Sequence, residues 1–90
     1  MDVEWDAEKA RRSFAKHGIT FEEAATVFWD PLEITVFDPD HSISEDRFVS
    51  VGASTAGRLL VVGYTERRGK IRLIFARRAT VREQMDHEEA

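Results

Sequence analysis

The side chains in this sequence best suited to chemistry are a set of guanidinium groups and one imidazole. Residues 58–82 hold seven Arg and one Lys against a single acid, Glu66, a net charge of +7 in a chain whose total is −4. Within that segment Arg72 interrupts an alternating apolar run, and Arg77 and Arg78 stand where the run leaves for a helix. Arg47 opens a second apolar run. Guanidinium groups pair phosphate oxygens bidentately, and a strand-to-helix junction adds backbone amides. Such a concentration of cations points to an anionic ligand, nucleic acid first. Tyr64 can stack on a base or donate a hydrogen bond. Arg67, Arg68 and Lys70, around a hairpin tip, suit a salt-sensitive grip on a nucleic-acid backbone. His17, preceded by Lys16, has an ordinary pKa near neutrality and suits proton transfer.

Each of these residues also has a plainer reading. Arg72 and Arg47 can pair with acids such as Glu66 or Asp46. Arg77 and Arg78 can be a solvated strand end, and Lys16-His17-Gly18 is ordinary chemistry for the C-terminus of a helix. Metal and cofactor chemistry find little support. Asp38, Asp40, His41, Glu45 and Asp46 form an acidic loop without the spacing and central Gly of a calcium loop, and no HExxH or paired-His motif occurs. The absence of Cys removes disulfides, thiolate nucleophiles and cysteine zinc sites. Glycine-rich phosphate loops and nucleophilic triads are absent too.

These side chains need a scaffold, and 90 residues with 42% hydrophobic content suffice for one small domain, expected over residues 1–90. The N-terminus carries no signal-peptide pattern and no apolar run reaches membrane length, so a cytoplasmic protein away from membranes is expected. Val3-Glu4-Trp5 predicts a short strand. Asp6 caps a helix over Ala7 to about Lys16, with Ala7, Ala10 and Phe14 as its apolar stripe, and Gly18 ends it. Thr20 and Glu23 form a capping box for a second helix reaching Phe28, which Asp30-Pro31 stops.

Beyond Pro31 the period becomes two. Leu32–Phe37, Arg47–Ala53, Leu59–Thr65 and Lys70–Ala76 predict strands, the first pair joined by the polar loop Asp38-Pro39-Asp40-His41-Ser42. Thr80 and Glu83 form a second capping box ahead of a short helix over Val81 to about Glu89. The order β-αα-ββββ-α predicts an α+β fold, a small, mostly antiparallel sheet packed with an N-terminal helix hairpin and a short C-terminal helix. Trp5, Phe14, Phe21, Phe28 and Phe48 fall at core spacing, while Trp29 suits a partner contact or a stacking platform. Strict alternation puts Ile71, Leu73 and Phe75 on one face of the last strand and Arg72, Ile74 and Ala76 on the other. Placing Arg72 and Tyr64 in one site assumes that the helices cover the opposite face.

Glu4-Trp5-Asp6, Lys16-His17-Gly18, Phe21-Glu22-Glu23-Ala24, Asp30-Pro31, Leu60-Val61-Val62-x-Tyr64-Thr65-Glu66 and Ala76-Arg77-Arg78-Ala79-Thr80 together resemble the BrnT family, ribonuclease toxins of type II toxin–antitoxin systems. The resemblance covers roughly residues 3–88. It implies a RelE-like fold, RNA cleavage without a bound metal, and neutralisation by a BrnA-like antitoxin, which binds operator DNA through a ribbon-helix-helix domain. Carried over by position, Lys16, His17, Arg47, Tyr64, Arg72, Arg77 and Arg78 become the candidate functional residues. Their chemistry divides them into catalytic candidates, His17, Arg47, Tyr64, Arg72 and Arg77, and RNA-binding ones, Lys16 and Arg78, which the hairpin cations Arg67, Arg68 and Lys70 join by charge. Three positions depart from the family pattern: Phe75 replaces a usual Ser, Ser13 a frequent Asn, and His87 a frequent Tyr. A missing hydroxyl beside the arginines weakens the nuclease if it touches RNA, whereas a core position for Phe75 only repacks the sheet. The alternative is a nucleic-acid-binding or antitoxin-docking module that has lost nuclease activity.

Overall fold

A computed structural model describes residues 2–39 and 45–89. Its elements are β1 (Val3–Glu4), α1 (Ala7–His17), α2 (Phe21–Ala25), a 3-10 turn (Thr26–Trp29), β2 (Ile34–Phe37), β3 (Arg47–Ala53), β4 (Leu59–Arg67), β5 (Lys70–Arg78) and α3 (Val81–Glu89). Asp40, His41 and Ser42 of the expected polar loop lie outside the described residues.

Local chemistry sets the helix ends. The Asp6 carboxylate accepts the Lys9 N–H at 3.1 Å, and Gly18, at φ 72°, turns α1 off while its N–H bonds the Phe14 carbonyl. That left-handed turn costs a residue with a Cβ more than glycine. Thr80 and Glu83 exchange both arms of a capping box, at 3.1 and 2.8 Å. At Thr20 only one arm forms: its hydroxyl accepts the Glu23 N–H at 3.1 Å. The Glu23 carboxylate instead accepts from Ser54 Oγ at 2.7 Å and from the Arg58 guanidinium, tying α2 to the β3–β4 turn. Arg58, ahead of Ser54, holds the Glu23 carboxyl below its ordinary pKa. The second helix is also shorter than predicted. It tightens at Thr26, whose hydroxyl donates to the Glu23 carbonyl and accepts the Thr55 N–H.

Among the described residues five strands form one sheet in the order β1-β5-β4-β3-β2, with β1 parallel to β5 and the other neighbours antiparallel. The α+β order is the predicted one, and the sheet is mixed rather than purely antiparallel. Ile19, Phe21, Ala24 and Val27 pack on one face, against Leu60, Val62, Tyr64, Ile71, Leu73 and Ala76. Each fully buried large side chain here contributes roughly 1.5–3 kcal/mol. Trp5, Phe28 and Phe48 lie partly buried around this core. Phe14 does not join it, being 51% exposed. The residue that α1 buries is Ser13, and Phe14, about 100° further round the helix, points away.

Ser13 explains how α1 is seated. β1 pairs β5 only at Ile71 and Arg72, which leaves the later backbone of β5 at a sheet edge. Ser13 Oγ accepts the Ala76 N–H at 3.0 Å and donates to the Ala76 carbonyl at 3.4 Å. One hydroxyl thus satisfies two buried groups that the sheet leaves open.

The faces of β5 depart from strict alternation. Tyr64 pairs with Leu73 but Gly63 pairs with Phe75, so Ile74 is an extra residue in a β-bulge. Beyond it the two faces exchange. Ile71, Leu73 and Ala76 join the core, while Arg72, Phe75 and Arg77 share the face away from α2. Phe75 is therefore neither on the face of Ile71 and Leu73 nor opposite Arg72.

Candidate functional site

Cross-strand pairing arranges the face away from α2 in rows. Arg47, Thr65, Arg72 and Glu4 run across β3, β4, β5 and β1. The next row is Val49, Gly63 and Phe75, and the one after is Val51, Val61 and Arg77. Phe75 thus occupies the row between two arginines of its own strand.

Arg72 donates to Glu4 at 2.8 Å, so its partner is an acid from the first strand rather than Glu66 or Asp46. Thr65, between Arg47 and Arg72, is 1% exposed, and its hydroxyl has no hydrogen-bond partner among the described residues. Arg47 lines a pocket of about 310 Å³ with Asp38, Val49, Gly63 and Phe75.

Arg77 is held from α3. Its guanidinium makes a fork on Glu83, at 2.8 and 2.9 Å, and that contact, ahead of the Thr80 cap, keeps the Glu83 carboxyl at about 2. The same contact raises the Arg77 pKa.

The second part of the surface comes from α1. Lys9, Arg12, Ser13, Lys16 and His17 line a pocket of about 340 Å³ whose floor is Ile74 and Phe75. These positions follow the i, i+3, i+4, i+7, i+8 spacing of one helical face. His17 is half-buried. Its pKa is lowered, first by burial and then by the positive charges of Lys16 and Arg77. Its imidazole is therefore mostly neutral at neutral pH, the form that accepts a proton. Arg12 contacts Glu8 at 3.2 Å across one helical turn, an exposed pair of small energetic weight.

The predicted site residues thus separate into distinct places. Lys16, His17 and Arg77 come together beside Phe75, and Arg47 and Arg72 lie across the same face. Arg67, Arg68 and Lys70 line a separate pocket with Glu4 at the β4–β5 hairpin. There Arg67 pairs with Glu45 at 2.9 Å and Lys70 approaches Glu4 at 3.9 Å. The expected partnership of Arg72 with Tyr64 does not form. Tyr64 is 5% exposed in the core, stacked on Phe48 and edge-on to Phe28, because neighbouring strand residues point to opposite faces. Arg78, paired with Leu60, stands on the side of α2 for the same reason, within electrostatic reach of Glu23.

Lys9, Arg12 and Ser13 were missed as site residues, although their spacing to Lys16 and His17 would have found them. Among the described residues no group of three His, Asp or Glu side chains is placed to hold a metal ion. No helix is long and apolar enough to cross a membrane.

Known proteins agree with this arrangement at the level of fold and family. A family model described as ribonuclease toxin, BrnT, of type II toxin-antitoxin system matches residues 5–83. The crystal structure of the Brucella abortus ribonuclease toxin BrnT is similar in fold, with a TM-score of 0.65 and 19% identity, over 89% of this chain and 97% of that one. No curated protein sequence matches.

Proposed function

Since the chain belongs to the BrnT family of ribonuclease toxins of type II toxin–antitoxin systems, we propose that it is an endoribonuclease that cuts cellular RNA without a metal ion and halts growth. The observation that carries this reading is His17, a half-buried imidazole kept largely neutral beside Lys16 and Arg77, at the rim of a pocket lined by Lys9, Arg12 and Lys16. Neutral His17 takes the proton of a 2′-hydroxyl. The 2′-oxygen attacks phosphorus, the bond from phosphorus to the 5′-oxygen breaks, and that oxygen leaves protonated from water. The product end is a 2′,3′-cyclic phosphate. Proton transfer of this kind is typically worth ~10²–10⁴-fold.

Charge stabilisation in the transition state falls to the cations around the imidazole. Lys16 and Arg12 neutralise the scissile phosphate and its neighbour. Arg77 acts from its Glu83 fork by holding the field at His17. Arg47 and Arg72 carry the strand across the sheet face, Arg72 exchanging Glu4 for phosphate, and Arg67, Arg68 and Lys70 grip the backbone beyond. Tyr64 acts through the core by supporting Phe48, and Arg78 stands outside the site. The cognate antitoxin is BrnA-like, with a ribbon-helix-helix domain through which alone operator DNA is bound, and the system works in the cytoplasm.

The test is cleavage of single-stranded RNA in EDTA by the wild type, His17→Ala and Arg72→Ala, with the cyclic phosphate identified on the product. Loss of at least 100-fold in His17→Ala, with a smaller loss in Arg72→Ala, supports the assignment. Full activity in both variants removes it, and RNA binding without cutting by the wild type favours the non-catalytic alternative. Expression alone and with the protein of the adjoining reading frame then scores growth arrest and rescue.

A further inference from the structure

Phe75 stands where strict alternation would have buried it, and the bulge at Ile74 brings it instead to the arginine face. Its ring rests on Gly63: a Cβ built there would lie 2.1, 2.5 and 2.9 Å from three ring atoms. The same residue borders the Arg47 pocket on one side and the α1 pocket on the other. It is half-buried, with one side of the ring seated on backbone and the remainder between Arg47 and the cations of α1. Both cavities fall in the ~300–1,000 Å³ range of ligand sites.

We propose that Phe75 is a stacking platform for one unpaired base of the RNA, with the adjoining phosphate on Lys9, Arg12 and Lys16. This rests on the RNA-cleaving reading above and names the contact that positions the strand. A ring fixed against glycine loses little freedom when a base stacks on it. Stacking of this kind tolerates any base. The α1 side takes the phosphate because Lys9, Arg12 and Lys16 line that pocket together and no acid does. Phe75 thus gives the arginine face an apolar contact that positions the strand.

The experiment uses a fluorescent, 2′-O-methylated single-stranded hexanucleotide, which binds but offers no 2′-hydroxyl for attack. Affinity is measured by anisotropy at several salt concentrations for the wild type, Phe75→Leu, Phe75→Trp and Lys16→Ala. Phe75→Leu keeps an apolar side chain over Gly63 but has no ring. We expect it to bind roughly 10-fold more weakly with an unchanged salt slope, because stacking releases no counterions. Phe75→Trp should bind at least as tightly as the wild type, and Lys16→Ala should flatten the salt slope. Wild-type affinity in Phe75→Leu overturns the platform and leaves the RNA reading standing. Failure of the wild type to bind the hexanucleotide removes both readings.

Discussion

A β-carbon on Gly63 would stand 2.1 Å from Cε2 of Phe75, so the missing side chain of one residue is the seat of the other. The two are cross-strand partners beside the β-bulge. Substituting Gly63→Ala forces the ring off its seat, and overpacking of this kind costs typically 1–3 kcal/mol. In a Phe75→Ser background the same substitution should cost less, with a coupling of about 0.5–3 kcal/mol. Urea unfolding of the four proteins of this cycle measures it. Additive costs would mean that the ring does not occupy that position.

Ser13 serves two backbone groups of Ala76 with one hydroxyl. Ser13→Ala leaves a buried N–H and a buried carbonyl without partners, at a cost of about 1–3 kcal/mol. Amide exchange at Ala76 should accelerate more than exchange at Arg77, whose N–H alternates to the β4 side of the strand. Equal acceleration at both would show that Ser13 acts on global stability and not on the edge of β5.

Glu83 joins Arg77 to the start of α3, and its carboxyl titrates at about 2 instead of 4.5. A depressed carboxylate adds stability that is complete above its unfolded pKa and is lost as pH falls through the folded one. The contribution should therefore be full above about pH 5 and fade towards pH 2. Allowing for solvent at a side chain 32% exposed, it amounts to about 1–2 kcal/mol. Protection factors of residues 81–89, corrected for the intrinsic pH dependence of exchange, should fall across that window in the wild type, and should already be low at pH 7 in Glu83→Gln. A variant as protected as the wild type at pH 7 would disprove the tether.

His17 has its pKa below 6.5, chiefly through burial. A base is lost when it is protonated, so cleavage should be flat around neutral pH and decline on the acid side with a midpoint below 6.5. Lys16→Ala should raise that midpoint modestly, because one of two neighbouring cations is removed while burial remains. Added salt should act in the same direction and weakly. A midpoint at or above 6.5 in the wild type, measured from the pH dependence of kcat/KM, would rule His17 out as the base in this environment.

Much of the fold was legible because its signals are local. Gly18 after Lys16-His17, Asp6 before α1, and Thr80 three residues before Glu83 act within one turn of chain, and each appears where it was read. The strand over Arg47–Ala53 has its predicted ends, since apolar alternation bounded by turn residues is also a short-range property. Family membership was legible too, being carried by short blocks of residues that no tertiary contact needs to interpret.

The site was decided further away. Alternation assigns faces only until a bulge shifts the period, and the bulge at Ile74 exists because β4 pairs Gly63 with Phe75 and Tyr64 with Leu73. No residue within β5 announces it. The same holds for the partners of the arginines: Glu4 reaches Arg72 and Glu23 reaches Arg58 across 68 and 35 residues of chain. Sequence by itself determined which side chains could bind phosphate and move a proton, because those properties are intrinsic to Arg, Lys and His. Only the folded sheet decided that Phe75 would stand among them and that the Tyr64 ring would turn into the core, because the face a strand residue occupies depends on the strand beside it.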